Sequence, residues 1–467
     1  MKTEATKGRT HIWRAAAILV GIVALLVAGS APAQDKSFEE EVLEILREKG
    51  DIDQEEYDRL KQKAAEEKKA REPSDWTFKW KNGFQLQKGD GKEFQLKFGG
   101  RIQNDWGIYD PDSDVKRSFG GNGTGTKFRR ARLFFEGTMY EHLFFKAQYD
   151  FADNSTESGG SGNFSSGGFK DVYVGLRIPK VGELRVGHMK EPFSLEEQTS
   201  SKYTTFMERA LPNLFSPSRN TGIALRSDAA DLRIHWSVGF FRDTDGFGEG
   251  FSSSSDYRGT ARFTASPVYL DDGDRVFHIG TSYSHQWEDS KRYRARPENN
   301  FAPRIVDTSR FSADHVNLLG IELAGLFGSL HFQSEAIWNW TKPDGQNLPG
   351  WQEYWGAYGE VGYFLTGEVR PYSRRFGEFG RVSPKQNFNP KEGGWGAWQV
   401  ALRYSHVDLN GDEIKGGKLS DVTAGINWHL FPNFRVMVNY VWGREREQPG
   451  AESGDVHSYI ARFSLDF

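Results

Sequence analysis

The sequence predicts an all-β protein, a transmembrane antiparallel β-barrel of about 16 strands preceded by a short N-terminal α-helical segment. Three observations predict this fold. Hydrophobic and polar residues alternate with a period of two from Thr77 onward, short turns alternate with long loops rich in Gly, Ser and Asp, and the chain ends on an aromatic residue. Downstream of Gln34 no apolar run approaches the roughly 18 residues of a transmembrane helix, so strands are left to cross a membrane.

The first 33 residues have the three parts of a secretory signal peptide. Four Lys or Arg side chains precede an apolar run at residues 15–28, and Ala31 and Ala33 form an A-x-A site that predicts cleavage before Gln34. The alternative is an uncleaved membrane anchor, but the run is shorter than the roughly 20 residues that a spanning helix needs. Export excludes nucleic acid as a partner.

Residues 34–75 are predicted to form a short helical neck in the periplasm. Ser37 with Glu40 and Asp53 with Glu56 have the spacing of capping boxes, which mark the starts of helices. The segment holds 9 Lys or Arg and 15 Asp or Glu, and the apolar side of its first helix suits self-association. The alternative is a mobile, charged linker.

Alternation along the strands does not by itself distinguish a membrane barrel from a soluble sheet, so a β-sandwich or propeller is the alternative fold. The contrast between turns such as 140–142 and loops such as 154–167 favours the barrel. Tyr and Trp residues near predicted strand ends, among them Tyr109 and Tyr354, are expected at the membrane interfaces and favour it as well. The last strand, which ends at Phe467, resembles the signal read by the barrel-assembly machinery. We therefore expect residues 76–467 to form an outer-membrane barrel. Connections 193–218 and 366–396 are longer than simple turns, and long connections of such barrels can fold inward and narrow the pore.

Charge and composition narrow the function. The formal charge is −4, with +3 in residues 1–33 and −6 in residues 34–75, which leaves −1 for the barrel. Any positive cluster in the barrel is therefore a local arrangement. The absence of cysteine excludes disulfides, thiolate metal sites and a cysteine nucleophile. The sequence contains neither G-x-S-x-G nor H-E-x-x-H, so no enzyme activity, metal or cofactor is predicted.

The segment KRYRARPE places three arginines at alternate positions, Arg292, Arg294 and Arg296. In an extended chain alternate side chains share one face, so their guanidinium groups form a row. Arg304 continues the basic character of the same segment. An arginine row in a wet lumen is a selectivity device for anions. The alternative is an exterior loop over residues 288–312 whose arginines pair with carboxylates or touch lipopolysaccharide.

A second basic stretch, KFRRARLFFEG, lies in a predicted strand. If Leu133 faces lipid, the period of two sends Arg130 and Arg132 into the lumen. Arg129 then faces outward unless it lies at the rim or the strand bulges there. The same rule assigns Arg101 to the lumen.

Several stretches resemble the phosphate-selective porin O and P family, in order from about residue 92 to 467. They are FQLKFGGRIQNDW, FRRARLFFEGTMYEHLFFKAQYDF, GFKDVYVGLRI, LRVGHMKEPFSLEEQTSSKYTTFMER, RYRARPENNFAPRIVDTSRF and the pair TGEVRPYS and FGRVSPK. The resemblance implies a trimeric porin with 16 strands, inward-folded loops and an arginine ladder. It maps the ladder onto Arg292, Arg294 and Arg296, the wall onto Arg101, Arg129 and Arg130, and the neighbourhood of the constriction onto Asp171 and Lys202.

Together, residues and resemblance predict an outer-membrane porin for passive, anion-preferring diffusion, with phosphate or polyphosphate as its solute. The predicted partners are outer-membrane lipid, lipopolysaccharide, inorganic anions, two further copies of the chain, and the barrel-assembly machinery through Phe467. Two alternatives stay open. One is a general or organic-solute porin that uses Trp351, Trp355 and Trp395 as an aromatic slide, and the other is a plugged structural barrel.

Overall fold

The structure is a computed structural model that describes residue 47 and residues 53–70, 75–80, 83–152, 167–251, 256–345 and 350–467. The contacts divide the chain into two units, Met1–Asp75 and Trp76–Phe467. The predicted signal peptide lies outside the described residues, and so does most of the first predicted neck helix. No described helix is long and apolar enough to cross a membrane.

In the first unit, helix α1 (Gln54–Ala70) begins where the sequence places a cap. The Asp53 carboxylate accepts a hydrogen bond from the Glu56 amide at 2.8 Å, which satisfies one of the free N–H groups of the first turn. The Arg47 guanidinium lies 4.6 Å from the centre of the Tyr57 ring. Self-association of this segment stays a prediction.

The elements of the second unit are mostly strands. The helical elements are α2 (Ser113–Phe119), α3 (Leu195–Gln198) and the 3-10 turns Leu211–Leu214, Asp271–Gly273 and Pro390–Glu392. The strands are β1 (Trp76–Trp80), β2 (Phe84–Lys88), β3 (Phe94–Pro111), β4 (Gly123–Met139), β5 (Leu143–Asp150), β6 (Gly168–Ile178), β7 (Gly182–Lys190), β8 (Arg219–Ala229), β9 (Ile234–Arg242), β10 (Tyr257–Leu270), β11 (Arg275–Trp287), β12 (Ser290–Lys291), β13 (Arg294–Ala295), β14 (Val306–Asp307), β15 (Phe311–Phe327), β16 (Leu330–Pro343), β17 (Gln352–Phe364), β18 (Tyr372–Ser373), β19 (Glu378–Phe379), β20 (Ala397–Asn410), β21 (Lys415–Phe431), β22 (Phe434–Arg446) and β23 (Gly454–Asp466).

Sixteen of these strands, β3–β11, β15–β17 and β20–β23, close into the predicted barrel. Each pairs antiparallel with the next, and β23 pairs back onto β3 from Val456 opposite Pro111 to Asp466 opposite Arg101. The closed ring leaves no open edge along these strands, as a membrane barrel requires. The predicted fold class is therefore confirmed. Strands β1 and β2 form a hairpin that pairs with the start of β3, beyond the end of β23.

The two rims of the barrel differ. One rim, called the turn end, carries short connections such as 140–142 and 432–433 together with both ends of the barrel chain. The opposite rim, called the loop end, carries the long loops. The connection between β17 and β20 is the exception, because it is long and yet starts and ends at the turn end.

The strand faces are apolar outside and polar inside, as in a membrane barrel. Along β17 exposed and buried residues alternate, with Trp355 outward and Tyr354 inward. Tyr109 and Tyr354, which the sequence assigned to the interface because they lie near strand ends, are 3% and 0% exposed inside the lumen. Each has the opposite parity to its outward neighbour, Trp106 or Trp355, and parity rather than position along the strand decides the face.

The apolar core lies inside the barrel, where two loops fold into the lumen from the loop end. Segment 191–218 contributes Phe193, Leu211 and Phe215, and segment 288–310 contributes Ile305 and Val306. These side chains pack against inward-facing strand residues, namely Val316, Leu318, Ile337, Tyr354, Val407, Leu409 and Leu419. The burial of this apolar surface fixes both loops to the wall formed by β15–β21.

The connection 365–396 enters the lumen from the turn end. Arg370 lies 3.5 Å from Glu360 of β17 and stacks on Phe379, with 3.6 Å from its Cζ to the ring centre. Arg262 of β10 donates a hydrogen bond of 2.9 Å to the Gly377 carbonyl. The two loops and this connection together fill the lumen on the side of β15–β23.

Candidate functional site

A long cavity remains along the inner wall of β3–β8. Its volume is about 1670 Å³, and its lining extends from Gln95, at the turn end of β3, to Asp243, just beyond the loop end of β9. The strands supply one wall, and segments 197–218, 288–310 and 375–378 supply the other. A solute that passed through the barrel on this side would meet all of these segments.

The cavity lining is strongly positive. Among the described residues it holds 21 Lys or Arg and 13 Asp or Glu, an excess of eight positive charges in a chain whose formal charge is −4. The cations are Lys97, Arg101, Arg129, Arg130, Arg132, Lys146, Lys170, Arg177, Arg185, Lys190, Lys202, Arg209, Arg219, Arg226, Lys291, Arg292, Arg294, Arg296, Arg304, Arg310 and Arg375. The fold has concentrated positive charge that the sequence as a whole does not show.

All ten site residues predicted from the sequence lie on this lining. They are Arg101, Arg129, Arg130, Arg132, Asp171, Lys202, Arg292, Arg294, Arg296 and Arg304. The structure brings these residues of β3, β4 and β6 and of two loops to one cavity, although Arg101 and Arg304 are 203 positions apart in the sequence. Their role in permeation stays a prediction.

Arg129 reaches the lumen because β4 bulges at that point. Arg130 lies opposite Gln103 and Phe128 opposite Asn104, so Arg129 is an extra residue on the β4 side of the ladder. A bulge resets the alternation, which turns Arg129 inward beside Arg130. Both arginines are buried, at 6% and 5% exposure. Of the two options left open by the sequence, the bulge is correct.

The carboxylate of Glu208, in loop 191–218, is held by two arginines. Arg129 donates to it twice, at 3.0 and 2.9 Å, and Arg462 donates once at 2.8 Å. Burial alone would raise the pKa of Glu208, but these two guanidinium groups hold its pKa well below its usual range. The pair with Arg129 fixes one side of the cavity at mid-height.

Asp171 of β6 and Arg219 of β8 form an ion pair, with 2.8 Å between Arg219 Nε and Asp171 Oδ1. The negative charge of Asp171 weakens the attraction of this part of the basic lining for an anion. A second bulge, between Ala147 and Tyr149 of β5, resets the register of β6 beside Asp171. This bulge lets both Lys170 and Asp171 line the cavity.

Lys202 lies on the inserted loop 191–218, with its ammonium 3.3 Å from Asp466. Burial lowers the pKa of Lys202 to about 8; Asp466 opposes this shift, while Arg101 and Arg381 add to it. Arg101 itself donates a hydrogen bond of 2.7 Å to the Ser201 hydroxyl. The Lys202 side chain therefore loses its positive charge under mildly alkaline conditions.

The predicted arginine row lies on a short hairpin inside the lumen. Strands β13 and β14 pair through Arg294 opposite Asp307. The Tyr293 and Ala295 side chains are each 6% exposed and pack in the apolar core, so the alternate residues face the cavity. Arg292 donates to Asp307 at 2.9 and 3.1 Å, which anchors the start of the row.

Arg294 makes no side-chain hydrogen bond or ion pair with another residue of the described ranges, so its guanidinium edge is available to a solute. Arg304 lies close to the same row. Burial lowers the pKa of Arg304 to about 10, and repulsion from Arg296 and Arg294 adds to the shift. Cations crowded in this way are stabilised by a bound anion.

Several basic residues at the turn end were not predicted from the sequence. The period of two contained the signal for Arg185, which stands between the outward residues Leu184 and Val186. It also contained the signal for Arg226, next to the outward Leu225. Arg375 carries no such signal, because it belongs to the irregular connection 365–396.

The aromatic slide of the organic-solute alternative does not form in the described lumen. Trp351, Trp355 and Trp395 are 42%, 38% and 58% exposed, and none of them lines the cavity. Within the described ranges, no group of three or more His, Asp or Glu side chains is placed to hold a metal ion.

Comparisons with known proteins agree with this geometry. The sequence model of the family described as "Phosphate-selective porin O and P" matches residues 96–467. The chain is 29% identical over 409 residues to an uncharacterized protein of Caulobacter vibrioides, covering 83% of this chain and 76% of the relative. It is 25% identical over 434 residues to Porin O of Pseudomonas aeruginosa, covering 84% of this chain and 93% of the relative.

Among solved structures, the fold is similar to that of an anion-selective porin from Comamonas acidovorans. The TM-score is 0.50 at 13% sequence identity, and the match covers 80% of this chain and all of the porin. This likeness concerns the barrel fold alone.

Proposed function

The chain belongs to the family of phosphate-selective porins O and P, and from that premise we propose which part of its lumen conducts and which solute it selects. It is an anion-preferring porin of the bacterial outer membrane, a channel rather than an enzyme. The cavity along β3–β8 is its permeation pathway. Its solutes are phosphate and polyphosphate.

The observation that carries this proposal is the charge of the cavity. Its lining holds eight more Lys or Arg than Asp or Glu side chains, around a volume of about 1670 Å³. A lumen lined by one sign of charge raises the local concentration of the opposite ion and lowers that of its own. Anions therefore enter in preference to cations.

Preference for phosphate follows from the kind of cation. Fifteen of the 21 cations are arginines. A guanidinium offers a planar fork of N–H donors that matches two oxygens of a phosphate, whereas chloride accepts from it only as a point charge. Because arginines occur at both ends and at mid-height, a phosphate can exchange its hydration shell for successive hydrogen bonds along the pathway.

The carboxylates of the lining keep the binding of the anion along the pathway weak enough for its release. Asp171 partly neutralises Arg219, and Glu208 partly neutralises Arg129. Conduction requires binding that favours entry and still permits exit. A lining without these carboxylates would bind phosphate and hold it.

The assembly and partners are also proposals. We propose a homotrimer, to be measured by the mass of the detergent-extracted protein. The exposed outer aromatic residues suit contact with lipid and lipopolysaccharide. Phe467 closes the seam through reciprocal backbone hydrogen bonds with Gly100, at 2.8 and 3.1 Å. Loss of outer-membrane insertion on Phe467→Ala would support recognition of this residue by the barrel-assembly machinery.

The test is the reversal potential of single channels in a planar bilayer under a KCl gradient, followed by addition of phosphate. We expect chloride to permeate better than potassium and millimolar phosphate to block the chloride current. Arg294→Ala is expected to weaken this block about tenfold, the effect of losing one charge-assisted hydrogen bond.

The matched control is Arg444→Ala, because Arg444 is near the loop end but pairs with Asp455 at 3.6 Å and does not line the cavity. This variant should leave the block unchanged. Preference for potassium would contradict the proposal and favour a general porin. An inserted, folded protein without conductance would instead favour the plugged structural barrel.

A further inference from the structure

Four arginines surround one carboxylate at the turn end of the cavity. Glu183 accepts hydrogen bonds from Arg226 at 2.8 and 2.6 Å, from Arg375 at 3.1 Å, from Arg185 at 3.2 Å and from Arg177 at 3.4 Å. All five side chains line the cavity. The four arginines are called the turn-end arginine cluster below.

Strand register explains why these residues meet. Arg177 of β6 lies directly opposite Glu183 of β7, and Glu183 lies directly opposite Arg226 of β8. Arg185 is two residues beyond Glu183 and shares its face. Arg375 reaches the same point from the inserted connection 365–396. Three neighbouring strands and one inserted segment therefore build the cluster.

Aromatic rings orient the guanidinium groups. The Arg226 Cζ lies 4.4 Å and the Arg375 Cζ 5.5 Å from the centre of the Phe376 ring. Arg177 and Arg185 lie 5.2 and 5.6 Å from the centre of Phe144. A ring that covers the face of a guanidinium leaves its edge, which carries the N–H donors, as the part directed to other groups. Both rings line the cavity.

The cluster has more donors than its carboxylate can use. Each guanidinium has five N–H groups, whereas Glu183 has two oxygens. Arg185 Nε is buried without a hydrogen-bond partner among the described residues. Two other carboxylates are near: Glu378 lines the same cavity, and Asp228 lies 3.9 Å from Arg375. Even with all three carboxylates ionised, the four arginines leave one positive charge in excess.

Exposure distinguishes the cluster from a structural ion pair. The side chains of Arg177 and Arg375 are 39% and 46% exposed, so both can reach a solute in the cavity. A structural pair such as Arg262 with Glu322 is 2% and 0% exposed and reaches none.

We propose that the turn-end arginine cluster is a second anion site on the pathway, for an oxyanion of the phosphate class that carries two or more negative charges. Glu183 acts there as a built-in competitor: it holds the arginines together when the site is empty and takes back their hydrogen bonds when the anion leaves. This inference rests on the proposed permeation pathway and adds a site at its turn end.

The test is single-channel block by pyrophosphate, added to each side of the bilayer in turn. Arg375→Ala should weaken the block from the turn-end side about tenfold, the effect of losing one charge-assisted hydrogen bond. Glu183→Gln should strengthen the same block, because an amide keeps the shape of the side chain but competes less for the arginines. The control is Arg374→Ala, since Arg374 bonds to Asp231 outside the cavity lining.

Opposite signs for the two variants would support the site, because a purely structural role would make both variants weaken the block or leave it unchanged. Either of those results would overturn the inference. If the Glu183 variant does not insert, Arg375→Glu takes its place, because Arg375 is on no barrel strand; it should abolish block from the turn-end side, and unchanged block would overturn the site. The KCl reversal potential of the natural channel separates the two proposals, since preference for potassium would remove the pathway itself.

Discussion

The two halves of the lumen use arginine in opposite ways. In the filled half, along β15–β23, arginines such as Arg403 and Arg462 are enclosed by carboxylates and lie out of reach of solvent. Arg403 is 1% exposed and contacts Glu298, Glu196 at 3.1 Å and Glu360 at 3.7 Å. In the open half, along β3–β8, cations outnumber carboxylates and many guanidinium edges face the cavity.

This difference shows that the surroundings of an arginine, rather than its presence in the lumen, decide its role. Arg462 faces the lumen by strand parity, like Arg101, yet it is fully buried against Asp105 at 2.6 Å. Matched buried charges fix the inserted loops to the wall, because removing either partner would leave a charge without compensation. We expect the unmatched and partly exposed charges of the open half to provide the selectivity.

The largest effect is expected from breaking the filled half. Arg403→Met removes the cation shared by Glu196, Glu298 and Glu360, so we expect a loss of about 3–5 kcal/mol in the free energy of unfolding. Urea unfolding of the detergent-solubilised protein measures it. Arg275→Met is the control, because Arg275 pairs with Asp271 on an exposed turn and should leave stability unchanged. Equal stability of the two variants would contradict the structural role of the filled half.

A smaller effect is expected from removing a carboxylate in the open half. Asp171→Asn adds one positive charge to the lining, which at about 7 Å in water is worth ~0.6 kcal/mol, or about threefold in anion preference. The ratio of chloride to potassium permeability should rise by that factor. Asp314→Asn, near Lys342 and away from the cavity, is the control. A fall in the ratio would show that Asp171 does not face the conducted ions.

The pH dependence should be smaller still. The pKa of Lys202 is about 8, so its ammonium is charged below that pH and neutral above it. The ratio of chloride to potassium permeability should therefore fall about twofold from pH 7 to pH 9, as one cation of the lining is lost. Lys202→Gln should flatten the profile at the lower value. A rising ratio, or an unchanged profile in the variant, would contradict the assignment.

No change in permeation is expected from the outer surface. Trp355→Leu removes an aromatic ring that faces away from the lumen. Conductance and phosphate block should match those of the natural protein. A reduced uptake of organic solutes by this variant would revive the aromatic-slide alternative.

The fold could be predicted well because its main signal is local. Alternation along each strand indicates which residues face lipid, and the number of alternating segments predicts about 16 strands. The prediction was wrong for Tyr109 and Tyr354, where closeness to strand ends was weighted above parity. The apolar core that contains these two residues is formed by loops from distant parts of the chain. No local sequence pattern predicts such contacts.

The site could be predicted in part for the same reason. The arginine row at Arg292, Arg294 and Arg296 is a local pattern, and the structure places it on the cavity. The local pattern does not tell which arginine of the row is held by a carboxylate. That depends on a contact across the hairpin, where Arg292 pairs with Asp307. The turn-end arginine cluster depends on cross-strand register and on an irregular connection. The period of two therefore indicates only single members of it, such as Arg185 and Arg226.

The most direct measurement compares the two halves by cysteine accessibility, because the natural chain contains no cysteine. Ser218→Cys lies on the cavity, whereas Ser405→Cys lies in the filled half, where Ser405 is fully buried and bonds to Glu298 at 2.6 Å. We predict that an anionic methanethiosulfonate reagent modifies the first variant about tenfold faster than a cationic one and reduces its current, while the second does not react. Rapid reaction at Ser405→Cys, or faster reaction of Ser218→Cys with the cationic reagent, would contradict an anion pathway confined to the open half.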